Sequence, residues 1–318
     1  MEQFYEYDDV LIAPRYSNVN SRDEVDISVT LNGKTKLTFP VIASPMRGIV
    51  DADFCIKLAE LGSLGILHRF YDSKLDWDKD LEKVSDAKMF GLSVGLHDSR
   101  YIEFLKYKPN ILLLDVANGN TQSYIDFCKQ VKKYILEYSP DTLLMAGNVA
   151  TYSCTQNLAD VGVDIVRVGI GGGWLCSTRN VTGIGVPQIS AVSDCSKATC
   201  MIVADGGIKN SGDAVKAFAA GADIAMVGSL FAQTYESPSG DTIFGMASRK
   251  LQDMKETAVK SVEGVERPIS KTMSLKQFVD EFSWGIRSAG TYLNAKNLQE
   301  IYTNSKFVLT GRGSIKEL

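Results

Sequence analysis

MIVADGGIKNSGDAVKAFAAGADIAMVGSL, residues 201–230, contains two short apolar runs separated by a helix-like stretch. The first run, Met201 to Asp205, stops at a pair of glycines; the second, Ile224 to Leu230, contains Gly228 and Ser229. Continuous apolar runs of this length read as strands buried on both faces, and an intervening helix makes them parallel. The same unit recurs outward in both directions. Toward the N-terminus stand IVRVGI (165–170), TLLMAGNVA (142–150), ILLLDVA (111–117), FGLSVG (90–95), LGILH (64–68) and VIASPM (41–46). A helix-like segment follows each of them, among them TQSYIDFCKQVKKYILE and DADFCIKLAELG. After IAMVGSL comes a long insert and then SLKQFVDEFSWGIRSAG. Eight such pairs predict an α/β fold, a (β/α)8 TIM barrel, with a doubly wound open sheet as the runner-up.

Residues 1–40 precede this rhythm and read as an N-terminal arm. Within it, Asp26 to Phe39 alternates like a hairpin around Asn32-Gly33, a strong type I′ turn signal, and is placed to cover one end of the barrel. Residues 233–273 are too long for a strand-to-helix connection and read as a mobile active-site flap between the eighth strand and its helix. The expected organisation is one barrel domain over 1–318.

Bulk properties narrow the function. A net charge of −4 and a pI near 5.4 leave no basic footprint for nucleic acid. No apolar run is long enough to span a bilayer, and MEQFYEYDDV is unlike a targeting peptide. The six cysteines show no metal spacing with the two histidines, and scattered thiols of this kind suggest a reducing cytoplasm.

Active sites in such barrels lie at the C-terminal strand ends. Those ends carry Ser44-Pro45-Met46, His68-Arg69, Asp115 to Gly119, Gly147-Asn148, Gly171 to Arg179, Asp205-Gly206-Gly207 and Gly228-Ser229. Glycines after the seventh and eighth strands suit a phosphate site of backbone N–H groups, with Asp205 available for a ribose diol. After the sixth strand, Gly171, Gly172 and Gly173 lead to Cys176, with Thr178 and Arg179 beside it. A thiol on such a loop can react, and Arg179 would favour its thiolate.

The stretch VGIG, CSTR and TG-x-G-x-PQ-x-SAV resembles the nucleophile loop of the IMP dehydrogenase and GMP reductase family, nearer the reductase branch. DVANG (115–119), IRSAGTY (286–292), Tyr7 to Leu11 and Ser21 to Val25 extend the resemblance from about Asp8 to about Thr310. It implies NADPH-dependent reductive deamination of GMP to IMP, with Cys176 as nucleophile at purine C2 and Thr178 and Glu263 as a proton relay. It further implies substrate contacts at Ser44, Met46, Asp205, Gly206, Gly207, Gly228, Ser229, Gly245, Met246, Ala247, Lys260 and Gly264. Implied for the dinucleotide are Ser21, Arg22, Arg69, Asp115, Val116, Ala117, Ile170, Gly171, Ser288 and Thr291, the segment around the last two reaching it from a neighbouring subunit of a homotetramer. A monovalent cation, K+, is implied on carbonyls of Gly171, Gly173 and Cys176.

The chain departs from the reductase pattern at several letters. Gly172 replaces a usual Pro, Trp174 a phosphate-binding Ser, Arg47 an Asp, Arg69 a Lys, Lys260 an Arg and Val262 a Ser. No CBS modules fit between His68 and the second helix. The rival readings are an IMP dehydrogenase without those modules, a relative acting on a deoxy or modified purine nucleotide, and a non-catalytic nucleotide sensor.

Overall fold

The computed structural model describes residues 3–249 and 262–310. Three short strands come first: β1 (Val10–Ile12), then β2 (Val29–Leu31) and β3 (Thr35–Leu37), which form the predicted hairpin. Asn32 and Gly33 both have positive φ, 42° and 68°, as a type I′ turn requires.

Eight parallel strands follow: β4 (Val41–Ala43), β5 (Ile66–Leu67), β6 (Gly91–Val94), β7 (Ile111–Asp115), β8 (Leu143–Val149), β9 (Ile165–Val168), β10 (Met201–Asp205) and β11 (Ile224–Val227). Each neighbours the next, and β11 pairs with β4. The bridge between Ala43 and Gly65 closes the ring, so the sheet is a barrel and not an open twisted sheet. Side chains alternate between two apolar layers. Leu31 and Leu37 of the hairpin pack with Ile42, Ile66, Ile111 and Ile224 inside one end of the barrel, which they plug. The outward-facing layer packs against the helices, with Phe39, Phe278 and Phe282 in edge and tilted contact.

Helix starts are set by side-chain caps. Asp51, Ser73, Thr121, Asn210 and Ser274 each accept a backbone N–H from the first helical turn. The final long helix, Leu275–Leu293, runs back from the strand C-termini toward the plugged end, as each helix of a barrel must. The insert before it contains structure of its own: β12 (Thr242–Phe244) pairs antiparallel with β13 (Glu266–Pro268). After it, β14 (Phe307–Leu309) pairs antiparallel with β1, so the N-terminal arm is fastened beside the chain's last described strand. Among the described residues no helix is long and apolar enough to cross a membrane.

Candidate active site

The nucleophile loop leaves β9 at Gly169. A Cβ at Gly169, whose φ is 148°, would lie 2.0 Å from the Asp205 carbonyl, so the loop passes too close to β10 for a larger residue. Cys176 is exposed, and its thiol donates to Thr178 Oγ1 at 3.1 Å. Thr178 opens a short helix, Thr178–Thr182, where the sequence suggested only a polar loop.

The flap docks directly on this loop. Ser177 N–H donates to the Glu263 carbonyl at 2.9 Å, and Val265 N–H to the Leu175 carbonyl at 3.0 Å. Cys176 and Gly264 form an antiparallel bridge. Such proximity needs bare backbone: a Cβ on Gly245 would meet the Leu175 carbonyl at 2.7 Å, and one on Gly264 would meet Ser248 N at 2.8 Å. The backbone of Glu263 is therefore pinned beside Thr178, and its half-buried carboxylate makes no hydrogen bond to a described residue. Gly245, Met246, Ala247 and Gly264 all lie in this docked segment; Lys260 lies outside the described residues.

Facing the loop, Gly206 and Gly207 at the end of β10 have φ of 97° and 81°. A Cβ on Gly206 would lie 3.1 Å from Gly173 N, so the two glycine turns abut. The backbone N–H groups of Gly207, Gly228 and Ser229 donate to no described residue. Three N–H groups in this state at two adjacent strand ends are the donor set that an anion cradle needs. Ser44 and Met46 line Gly228, with Ser44 Oγ 3.6 Å and Met46 Sδ 3.3 Å from the Cβ it lacks. Phe244, Phe70 and Met246 form a small apolar cluster above them.

Beneath lies a charge network that was not read from the sequence. Arg167, buried on β9, donates through Nε to Asp205 Oδ2 at 2.9 Å and through Nη1 to Asp115 Oδ1 at 2.8 Å. Burial opposes its charge, but the carboxylates of Asp205 and Asp115 outweigh that and hold Arg167 above its usual pKa. Asn148 Nδ2 adds a bond to Asp205 Oδ2 at 2.9 Å, and Arg69 Nε reaches Asp115 Oδ2 at 3.2 Å. Asp205 thus spends one carboxylate oxygen, Oδ2, on Asn148 and Arg167, while Oδ1 makes no hydrogen bond to a described residue. The available signal was a single Arg inside an otherwise apolar strand, flanked by strands ending in Asp.

The departing letters find specific places. Trp174 is 46% exposed and turned outward, its ring 5.1 Å from the Arg267 guanidinium on β13. None of the three atoms nearest each missing side chain of Gly206, Gly207 and Gly228 belongs to it. Arg47 pairs with Asp72, Nη1 to Oδ1 at 2.7 Å, which neutralises the reversed charge expected beside the pocket. Arg179 does not serve the thiol as expected: its guanidinium pairs with Glu6 and donates to the Val186 carbonyl at 2.8 Å.

The dinucleotide residues fall into two groups. Arg69, Asp115, Val116, Ala117, Ile170 and Gly171 stand at the C-terminal ends of the alternate strands β5, β7 and β9, with Arg69 ion-paired to Asp115. Ser21, Arg22, Ser288 and Thr291 do not join them. They lie together on the outside, where Arg287 donates to the Val25 carbonyl and the last long helix nears the plugged end. Among the described residues no group of three or more His, Cys, Asp or Glu could hold a metal.

A closed parallel barrel with an anion cradle at two adjacent strand ends, and a thiol loop abutting it, is the architecture of a nucleotide-handling barrel enzyme. The family model for the IMP dehydrogenase / GMP reductase domain matches residues 4–318, and the chain belongs to that family of oxidoreductases. It is 34% identical to the GMP reductase of Bacillus subtilis over 321 residues, covering 95% of this chain and 94% of that protein. It is 31% identical to the inosine-5'-monophosphate dehydrogenase of Borreliella burgdorferi, covering 98% and 95%. A GMP reductase from Trypanosoma brucei, solved with guanosine 5'-monophosphate, superposes with a TM-score of 0.87 over 98% of this chain and 96% of that one, at 24% identity.

Proposed function

We propose that this protein is a GMP reductase, converting GMP to IMP and ammonia with NADPH. The observation that carries the reading is the meeting of Cys176, Thr178 and the docked backbone of Glu263, with the thiol 3.1 Å from the Thr178 hydroxyl. Cys176 adds to C2 of the guanine ring. Thr178 and Glu263 carry a proton to the departing amine, and the thiolate is expelled at the end. The phosphate rests on the N–H groups of Gly207, Gly228 and Ser229. The free Asp205 Oδ1 takes the ribose, and Ser44, Met46 and Met246 flank the base.

The residues present fit a nicotinamide. Val116 and Ile170 are half-buried and Ala117 is exposed, apolar side chains at the ends of β7 and β9, and Val116 directly follows Asp115 of the Arg69–Asp115 ion pair. A bound nicotinamide supplies the hydride for C2. Val116, Ala117 and Ile170 would hold its ring, and Arg69 its neighbouring phosphate or ribose. Ser21, Arg22, Ser288 and Thr291 serve the site of an adjoining copy, which fits a homotetramer. The carbonyls of Gly171 and Cys176 accept no hydrogen bond from a described residue, and with Gly173 they fit a K+ ion.

The test is a spectrophotometric screen. GMP should drive NADPH oxidation with ammonia release, and IMP with NAD should give no comparable reduction. Cys176→Ala should abolish turnover and leave GMP binding within about threefold, since the thiol serves chemistry and not docking. Turnover of IMP with NAD in preference to GMP with NADPH would overturn the assignment.

A further inference from the structure

The nucleophile loop is held from behind by the beginning of the chain. Glu6 uses both carboxylate oxygens: Oε1 pairs with Arg179 Nη1, and Oε2 accepts Gln188 N–H at 2.8 Å. On either side, Tyr5 N–H donates to Ser190 Oγ at 2.8 Å, and Lys216 Nζ donates to the Tyr7 carbonyl at 2.8 Å. Arg179 threads the loop from inside. A Cβ on Gly171 would lie 2.5 Å from Arg179 Cγ, and one on Gly185 would lie 2.7 Å from the same atom. Its Nη2 is bonded to the Val186 carbonyl at 2.8 Å. The side chain therefore runs across the loop between its outgoing limb at Gly171 and its return at Gly185–Val186. Glu6 is the only described carboxylate that pairs with it, and Arg179 Nε stays buried without a partner.

Arg179 directly follows Thr178, whose hydroxyl receives the Cys176 thiol. A displacement at one end of this strut is a displacement of the reactive pair. We propose that Glu6 is a positioning residue: by clasping Arg179 and the Gln188 N–H together, it fixes both limbs of the 171–188 loop and so the placement of Cys176 and Thr178. This rests on the proposed reaction only in its kinetic half.

Glu6→Gln keeps the size of the side chain and removes its charge. In this variant kcat for GMP-dependent NADPH oxidation should fall about tenfold or more, while KM for GMP stays within about twofold, because misplacement affects the transition state more than docking. Amide hydrogen exchange across 171–185 should quicken about tenfold, with β6 to β8 unchanged. Arg179→Met should match it, and the double variant should lose no more than either single one. Loop exchange within about twofold of wild type overturns the proposal, as does faster exchange with kcat unchanged. If wild type itself fails to oxidise NADPH with GMP, the substrate reading falls and the clasp is judged on the thiol. The rate of Cys176 alkylation by iodoacetamide must then shift about threefold or more in Glu6→Gln, and an unchanged rate overturns it.

Discussion

His68, at the end of β5, should make the fold sensitive to mild acid. Its ring is 7% exposed and stacks on Tyr71 with centroids 4.5 Å apart. Nδ1 accepts the Phe70 N–H at 3.1 Å, so the proton of the neutral ring sits on Nε2. Charging the ring would put a proton where that bond is accepted. Burial, reinforced by the positive charge of Arg47 and opposed by Asp72, pushes the His68 pKa down to about 4. In the unfolded chain the value is about 6.5. A base whose folded pKa is depressed contributes stability that is complete above the unfolded value. That stability is lost as pH falls from about 6.5 toward about 4. At about 1.4 kcal/mol per unit, the whole window is worth about 3 kcal/mol, of which about 2 kcal/mol is gone by pH 5. The assay is denaturant unfolding of wild type and His68→Gln at several pH values between about 4.5 and 8. Other titrating groups are common to both proteins, so the difference between the curves isolates His68. Wild type should lose about 2 kcal/mol more than the variant between pH 8 and pH 5. Parallel curves, or an imidazole NMR titration midpoint near 6.5, would refute the reasoning.

Arg167→Met should destabilise the protein by about 3–5 kcal/mol in denaturant unfolding, because it leaves Asp115 and Asp205 facing each other without their shared cation. A loss below about 1 kcal/mol would show that the network is not what holds these strand ends. Glu263→Gln and Thr178→Val should each lower kcat about a hundredfold with KM for GMP little changed, and the double variant should be no slower than the worse single one. Multiplying losses would separate the two into independent roles. Trp174→Ser should tighten GMP binding about tenfold in calorimetric titration, since a hydroxyl restores one donor to a charged phosphate and about 1.4 kcal/mol is a factor of ten. Unchanged affinity would place the phosphate out of reach of residue 174.

The barrel was legible because its strands are apolar on both faces and its helices are punctuated. A run such as Ile111 to Leu114 has no other use than burial, and Asn32-Gly33 admits few conformations other than the turn it makes. The candidate site was legible where it is local: Cys176 and Thr178 are two residues apart and meet on one loop. Contacts made across the chain were not. Nothing near Arg179 in sequence announces Glu6, 173 positions earlier, so its charge was assigned to the nearest thiol. Arg167 showed only as an anomaly, since its partners at Asp115 and Asp205 lie on two different strands. The pairing of β12 with β13 inside the flap was not read, because two three-residue strands, one of them ending in Pro268, carry too little alternation to register.

The pairing of β1 with β14 bears on the order in which the arm is fastened during synthesis. A chain emerging from the ribosome completes all eight barrel strands by Val227, yet Phe307 to Leu309 are still to come. Until they arrive, Val10 to Ile12 has no strand to lie against, and the segment just before it, which carries Glu6, is tethered on one side less. Strand β1 is translated first and paired last. The contacts of Tyr5, Glu6 and Tyr7 with Ser190, Arg179, Gln188 and Lys216 involve no residue beyond 216, so the partners that hold the thiol loop are all made before β14 is. The pairing of β1 with β14 adds a second fastening to the arm, supplied by the last described strand of the chain.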